Sequence, residues 1–273
     1  MKVETTPGFA LDVEIAGHGP ALVMLHGFTG SGGSWGDFGE LLAGSFTTVR
    51  IDIVGHGRSD APATLDHYRM PRVASDLVAA VAKAGFDRAH WLGYSMGGRT
   101  ALHVAAAHPG AVERMVLIGA SPGIADRTER ETRVAADESL ARRIEDDGIE
   151  AFVDHWENIP LFASQRRRLP DPLRARIRAG RLACGTLGLA NSLRGMGAGA
   201  QEPLHQALAG IDLPTLWLAG SEDSKYMGNG ASMAAAMPRA RFLAVTGAGH
   251  AAQVEQPEFC AGAITAFLRE GEQ

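Results

Sequence analysis

Cysteine is scarce in this chain. Only Cys184 and Cys260 occur among 273 residues, and they form neither a framework nor a C-x-x-C pair. That excludes a disulfide-stapled scaffold and points to reduced thiols in a cytosolic protein. A surplus of positive charge is also missing. The net charge is -5, so no strong field exists to hold a phosphate backbone, and no nucleic-acid partner is expected. Lysine is nearly absent, with Lys2, Lys83 and Lys225 against 23 arginines. No apolar run approaches the roughly 18 residues of a membrane span, and Met1–Pro7 lacks the apolar stretch of a signal peptide. The expected location is cytoplasmic.

Nucleotide and metal signatures are lacking as well. The Gly-rich run Gly30-Ser31-Gly32-Gly33-Ser34 is not followed by Gly-Lys-Ser/Thr, which excludes a P-loop, and no complete G-x-G-x-x-G occurs. His103 and His108 stand five apart, not the four of an H-E-x-x-H zinc helix. Neither a metal nor a cofactor is expected.

What is present reads as an ordinary globular protein, with 45% hydrophobic and 21% charged residues. Its length suits one α/β domain with an insertion. Strand-like and helix-like segments alternate. Strands are predicted at Phe9–Ala16, Ala21–Leu25, Thr47–Ile53, His90–Leu92 and Arg114–Ile118, with helices at Val73–Lys83 and Arg99–Ala107. Continuous apolar runs such as Ala21–Leu25 fit strands buried on both faces. The rhythm implies a mostly parallel sheet with helices on both faces. It breaks after Gly123. From Asp126 to Arg194, where thirteen arginines and twelve acidic residues fall, the spacing is helical and no strand is convincing. Strands return at Pro214–Leu218 and Arg241–Val245, and a last helix is predicted over Glu258–Arg269. The expected organisation is a core of residues 1–123 and 195–273 around a helical insertion at 124–194.

The pattern G-x-S-x-G occurs twice, at Gly93-Tyr94-Ser95-Met96-Gly97 and at Gly119-Ala120-Ser121-Pro122-Gly123. In a nucleophile elbow the serine sits on a strained strand-to-helix turn, and the N–H after it helps bind an oxyanion. Met96 can supply that N–H. Pro122 cannot. Ser95 also lies between a predicted strand and helix, so Ser95 is the candidate nucleophile and Ser121 a loop serine. A serine needs a base, and the base an orienting acid. Two histidines follow the insertion, His205 and His250. His250 stands in Gly247-Ala248-Gly249-His250 just past a predicted strand, whereas His205 lies in a helical-looking stretch and reads as a surface residue. Asp223, after the strand at Pro214–Leu218, fits the acid position better than Glu222. His56, in Gly55-His56-Gly57, precedes the serine and reads as structural. Trp35, Trp91 and Trp217 read as core.

In order and spacing, His26-Gly27, Gly55-His56-Gly57, the Ser95 elbow, Asp223 and His250 resemble the α/β-hydrolase superfamily. The resemblance spans nearly the whole chain. It implies the α/β-hydrolase fold with a helical cap and a second oxyanion donor at the N–H of Phe28. A narrower resemblance rests on His26-Gly27-Phe28-Thr29-Gly30, Gly97-Gly98-Arg99, Ser121-Pro122-Gly123, Pro160-Leu161-Phe162-Ala163-Ser164 and Asp223-Ser224-Lys225-Tyr226. These stretches are similar to the 2-succinyl-6-hydroxy-2,4-cyclohexadiene-1-carboxylate synthases, lyases of menaquinone biosynthesis. That resemblance implies a small tricarboxylate substrate from which pyruvate is eliminated. It also implies substrate-binding arginines at Arg99, Arg133 and Arg181, with Arg176 and Arg178 as rivals for the last, and pocket residues Tyr94 and Trp156. Where a second aromatic would follow Trp156, this chain has Glu157. Two other functions stay open: a serine carboxylesterase or carbon–carbon bond hydrolase on the same fold, and a ligand-binding protein that has kept the fold without the chemistry. The oligomeric state has no sequence signal.

Overall fold

The computed structural model describes residues 1–271. In chain order it contains β1 (Lys2–Thr6), β2 (Phe9–Gly17), β3 (Ala21–Leu25), α1 (Gly36–Ala43), β4 (Thr47–Ile51), α2 (Met70–Lys83), β5 (Ala89–Tyr94), α3 (Met96–Ala107) and β6 (Val112–Ile118). Four helices follow: α4 (Arg127–Trp156), α5 (Ala163–Arg168), α6 (Asp171–Leu182) and α7 (Thr186–Met196). The chain then returns through β7 (Thr215–Gly220), α8 (Ser224–Ala236), β8 (Ala240–Val245), α9 (Ala252–Glu255) and α10 (Pro257–Leu268). The strands make one eight-stranded sheet in the order β1-β2-β4-β3-β5-β6-β7-β8. β1, β2 and β4 pair antiparallel, and every other pairing is parallel. This is the α/β-hydrolase fold.

The apolar strands are buried on both faces, as their sequences require. Val23 and Leu25 of β3 join a core with Trp91, Leu117 and residues of α2 and α3. Leu22 and Met24, pointing the other way, join Leu92, Val116 and Ile118 under α1 and α10. β3 has the predicted bounds, and the other predicted strands and helices are found with ends shifted by a few residues. The hairpin strand β1 and the helices α1 and α8 were not foreseen. Both of those helices carry internal glycines, which weaken the helical signal.

Between β6 and β7 the described residues contain no strand. α4 starts at Asp126, whose carboxylate accepts the Glu129 N–H at 2.8 Å and so caps it. Its thirty residues bend at Gly148, with φ 80°. Arginine–acid pairs four apart, such as Arg127–Glu131 and Arg142–Glu138, run along it. Ala141, Ile144, Phe152 and Val153 of α4 share a separate apolar cluster with Leu189 and Leu193 of α7, and Phe28 of the core packs against it. No helix among the described residues is long and apolar enough to cross a membrane.

Three buried histidines set a pH dependence. Burial pushes His26 and His103 down to about 4 and His56 down to about 3. Above the ordinary value of 6.5 both folded and unfolded chains hold neutral rings. Below it the unfolded chain takes up protons that the folded chain refuses, so stability falls as pH drops from about 6.5 towards 4. Each ring contributes up to about 1.4 kcal/mol per pH unit. Calorimetric Tm should therefore decline between pH 7 and 5, with a shallower slope in His103→Leu. A Tm unchanged over that interval would contradict the assignment.

Candidate active site

The parallel strands end at one edge, the edge where open α/β sheets bind ligands. There β3 runs into His26–Gly30, β5 into Ser95, β7 into Asp223 and β8 into the loop bearing His250.

Ser95 connects β5 to α3 without a spacer and takes φ 51°, ψ −108°. A non-glycine residue held there costs of the order of 1–3 kcal/mol. The turn is held by neighbours: the Ser95 N–H donates to the Ile118 carbonyl at 2.8 Å, and the Ser95 carbonyl accepts the Arg99 N–H at 3.0 Å. The flanking glycines are a steric requirement. A Cβ on Gly93 would overlap the Gly97 carbonyl, one on Gly97 would overlap the Leu25 carbonyl, and one on Gly98 would lie 2.6 Å from the Ala120 Cβ. Ser121 lies in a buried loop past β6, away from any strand-to-helix turn.

His250 Nε2 stands 3.0 Å from Ser95 Oγ, and His250 Nδ1 stands 2.7 Å from Asp223 Oδ2. The hydroxyl can thus donate to the imidazole while the imidazole N–H donates to the carboxylate, a chain able to draw a proton off the serine. Tyr226, Tyr94 and Phe162 surround the imidazole, with ring centroids at 4.6, 5.5 and 6.4 Å. Glu222 instead pairs with Arg167 and Arg168. His205 sits in a turn between α7 and β7, not in a helix. His56 is buried, contacts the Val54 carbonyl at 3.0 Å through Nδ1, and packs on His26 and Phe28. His26 Nε2 accepts the Ile53 N–H at 3.0 Å, so Nδ1 carries the hydrogen and donates to the Gly27 carbonyl at 2.8 Å.

Met96 is the first residue of α3, where a backbone N–H has no acceptor within the helix. Phe28 precedes Thr29, which holds φ 66°. For a β-branched residue that conformation is an outlier. Both positions chosen from sequence as N–H donors therefore adjoin strained turns.

The arginines divide by their partners. Arg176 pairs with Asp37 at 3.0 Å, and Arg178 pairs with Asp154 at 2.6 Å and Glu157 at 2.7 Å. Arg181 is 8% exposed, lies over the Phe162 ring at 4.7 Å, and has no ion pair among the described residues. Burial pulls its pKa down. It lines a cavity of about 400 Å³ with Phe28, Tyr94, Phe162, Gln165 and Gln253. Arg99 donates to the Met196 carbonyl at 2.8 Å and to Gln201 Oε1. Burial pushes its pKa down to about 10, so it stays charged at neutral pH. Arg133 bonds Asp137 at 2.8 Å. Arg99 and Arg133 both act electrostatically on Tyr226, whose ring packs on the His250 imidazole. Neither of these two arginines is on the wall of the cavity. Trp156 is also off that wall, stacked on Phe152 and edge-on to Phe28 and Phe162. Sequence reasoning does not single out Tyr226 and Phe162, although both lie inside stretches that resemble the synthases. Gln201 carried no signal.

The family profile described as alpha/beta hydrolase fold matches residues 20–257. A Bacillus subtilis (strain 168) protein, to which the name 2-succinyl-6-hydroxy-2,4-cyclohexadiene-1-carboxylate synthase is provisionally given, is 42% identical over 93% of each chain. A pimeloyl-[acyl-carrier protein] methyl ester esterase of Xanthomonas campestris pv. campestris (strain B100) is 32% identical over 94% of this chain and 98% of its own. Among solved structures, MenH from S. aureus superposes with a TM-score of 0.90 at 30% identity, covering 96% of this chain and 99% of that one.

The steric reading of the elbow is directly testable. Gly97→Ala should cost about 3 kcal/mol or more, lowering Tm by roughly 6 °C or more or preventing folding. Gly110→Ala, with nothing within 4 Å of the new Cβ, should leave Tm nearly unchanged. Equal Tm values for the two variants would refute the close-approach argument.

Proposed function

The chain belongs to the α/β-hydrolase fold family, and from that premise we propose that it is a 2-succinyl-6-hydroxy-2,4-cyclohexadiene-1-carboxylate synthase. This carbon–oxygen lyase of menaquinone biosynthesis eliminates pyruvate from 2-succinyl-5-enolpyruvyl-6-hydroxy-3-cyclohexene-1-carboxylate. The observation that carries the reading is Arg181, a desolvated cation without a carboxylate partner among the described residues, on the wall of a cavity that also includes Phe28 and Tyr94. A buried, uncompensated charge is costly, and an anionic substrate would neutralise it. The substrate carries three carboxylates, and the guanidinium fork suits them. Arg99 and Arg133 would supply the other cationic contacts, with Tyr94 and Trp156 shaping the apolar walls. Residues 124–194 would act as a cap over residues 1–123 and 195–273, and the enzyme would work in the cytoplasm.

In this mechanism His250 takes the Ser95 hydroxyl proton while Asp223 orients the imidazole and stabilises its charged form. The serine oxygen then removes the ring proton next to the succinyl ketone. The C–H electron pair becomes an enolate, whose oxygen faces the N–H groups of Phe28 and Met96. Electrons return from the enolate through the ring alkene, break the ring carbon–oxygen bond, and release enolpyruvate, which is protonated to pyruvate. A conjugated cyclohexadiene remains. Hydrogen-bonding arginines hold the ring so that its proton faces the serine. No acyl-enzyme forms, and the sequence requires no cofactor.

The triad and the esterase-named relative favour one second reading, a carboxylesterase using Ser95 as nucleophile. Pyruvate release from freshly made substrate, run beside a p-nitrophenyl ester panel and a no-enzyme control, separates the two. The proposal predicts fast pyruvate release with poor ester turnover, and a drop of about 10³-fold or more in Ser95→Ala. Arg99→Ala and Arg181→Ala should each lower kcat/KM by roughly 10–100-fold, whereas Arg176→Ala should change it about twofold at most. Background pyruvate with brisk ester cleavage would establish the esterase instead.

A further inference from the structure

We propose that Ser164, Arg168 and Glu255 form a strut from α5 to the two loops that carry His250 and Asp223. They act as positioning residues that set the reactive geometry of Ser95. The proposal rests on reading Ser95, His250 and Asp223 as the catalytic triad, and its labelling test does not depend on the identity of the substrate.

Glu255 ends α9, and its side chain has no solvent exposure. One of its oxygens accepts the Ser164 hydroxyl at 2.9 Å, and the other accepts the Gly249 N–H at 3.0 Å. Gly249 directly precedes His250. A buried carboxylate thus joins a hydroxyl from α5 to the backbone beside the imidazole. Gly249 is matched to this contact, since any Cβ there would overlap Ser164 Oγ. Arg168, at the end of α5, stands 3.5 Å from the same Glu255 carboxylate and hydrogen-bonds Glu222, the residue before Asp223. The Glu222 N–H donates to the Ala248 carbonyl at 2.9 Å, tying the two loops together. One six-residue helix therefore contacts both loops through charged or hydrogen-bonded groups.

The same segment also touches the candidate substrate cation. Phe162 lies just before α5, packs edge-on to the His250 imidazole and carries Arg181 over its ring. An anion drawn to Arg181 and the seating of α5 on Glu255 therefore act on one short stretch of chain. Reactive groups must be held to within about half an ångström to work at full rate, and a misplacement of about 1 Å can cost roughly 100-fold. Without Ser164, the Glu255 carboxylate loses a donor and its hold on Gly249 loosens. Neither Ser164 nor Glu255 is on the cavity wall, so the loss should fall on kcat and on serine reactivity, not on KM.

The test is the rate at which a fluorophosphonate probe labels Ser95, measured on full-length variants whose folding is checked by thermal unfolding. Ser164→Ala and Glu255→Ala should each label about tenfold more slowly than wild type, with kcat for pyruvate release falling in parallel and KM staying within twofold. Glu255→Gln, which keeps an acceptor for the Gly249 N–H, should stay within threefold of wild type. The double variant Ser164→Ala/Glu255→Ala should be no slower than Glu255→Ala alone, because Ser164 acts through Glu255. If Glu255→Ala does not fold, Ser164→Ala and Glu255→Gln carry the test. Wild-type labelling rates in folded Ser164→Ala, or multiplicative losses in the double variant, would overturn the strut. A wild-type enzyme that the probe does not label at Ser95 would overturn the triad reading, and the strut with it.

Discussion

The rest of the structure depends on a backbone crossing with no spare room. Ser95 sits at positive φ where β5 turns into α3, and Gly93, Gly97 and Gly98 let that turn press against Leu25, Ala120 and each other's carbonyls. The strain is local, but its support is spread across the sheet. β3 supplies the carbonyl edge beneath Gly97, and the end of β6 accepts the Ser95 N–H. Asp223 and His250 arrive from the ends of β7 and β8. The parallel sheet therefore positions the turns and loops that bear these three side chains. The apolar strands serve function by fixing where the loops start.

Charge is the second constraint. Most arginines between β6 and β7 are neutralised in place: Arg127, Arg142, Arg176 and Arg178 each meet a carboxylate. Exposed pairs of this kind contribute little stability and serve mainly to solvate helix faces. Arg181 and Arg99 differ from these. Both are desolvated, and their hydrogen-bond or ring partners are uncharged. The distinction between an ion-paired arginine and one with only neutral partners lies in the fold, and counting arginines cannot reveal it. Of the three candidates for the third carboxylate contact, Arg176 and Arg178 are already ion-paired, and this is why the proposed function takes Arg181.

Much of this was legible from the residues. Ala21–Leu25 is a continuous apolar run and is found as β3 with those bounds. The proline after Ser121 removes the N–H an elbow needs, and Ser121 lies in a loop. Serine, acid and histidine stand in the required order, and the structure brings Ser95, Asp223 and His250 within hydrogen-bonding distance. Other features had no local signal. β1 is a short, largely polar strand whose partner is the next strand in sequence. α1 and α8 are interrupted by glycines that blur their period. His205 lies in a stretch with helical spacing that folds as a turn. The bond between Ser164 and Glu255 joins residues 91 apart, and long-range pairs of that kind leave no periodicity to read.

The central claim is that Ser95 moves a proton and does not form a bond to carbon. The most direct measurement is intact-mass spectrometry of enzyme quenched during steady-state turnover of 2-succinyl-5-enolpyruvyl-6-hydroxy-3-cyclohexene-1-carboxylate. The account predicts an unchanged protein mass while pyruvate accumulates. A substrate-derived adduct on Ser95, formed and consumed at the rate of turnover, would contradict it.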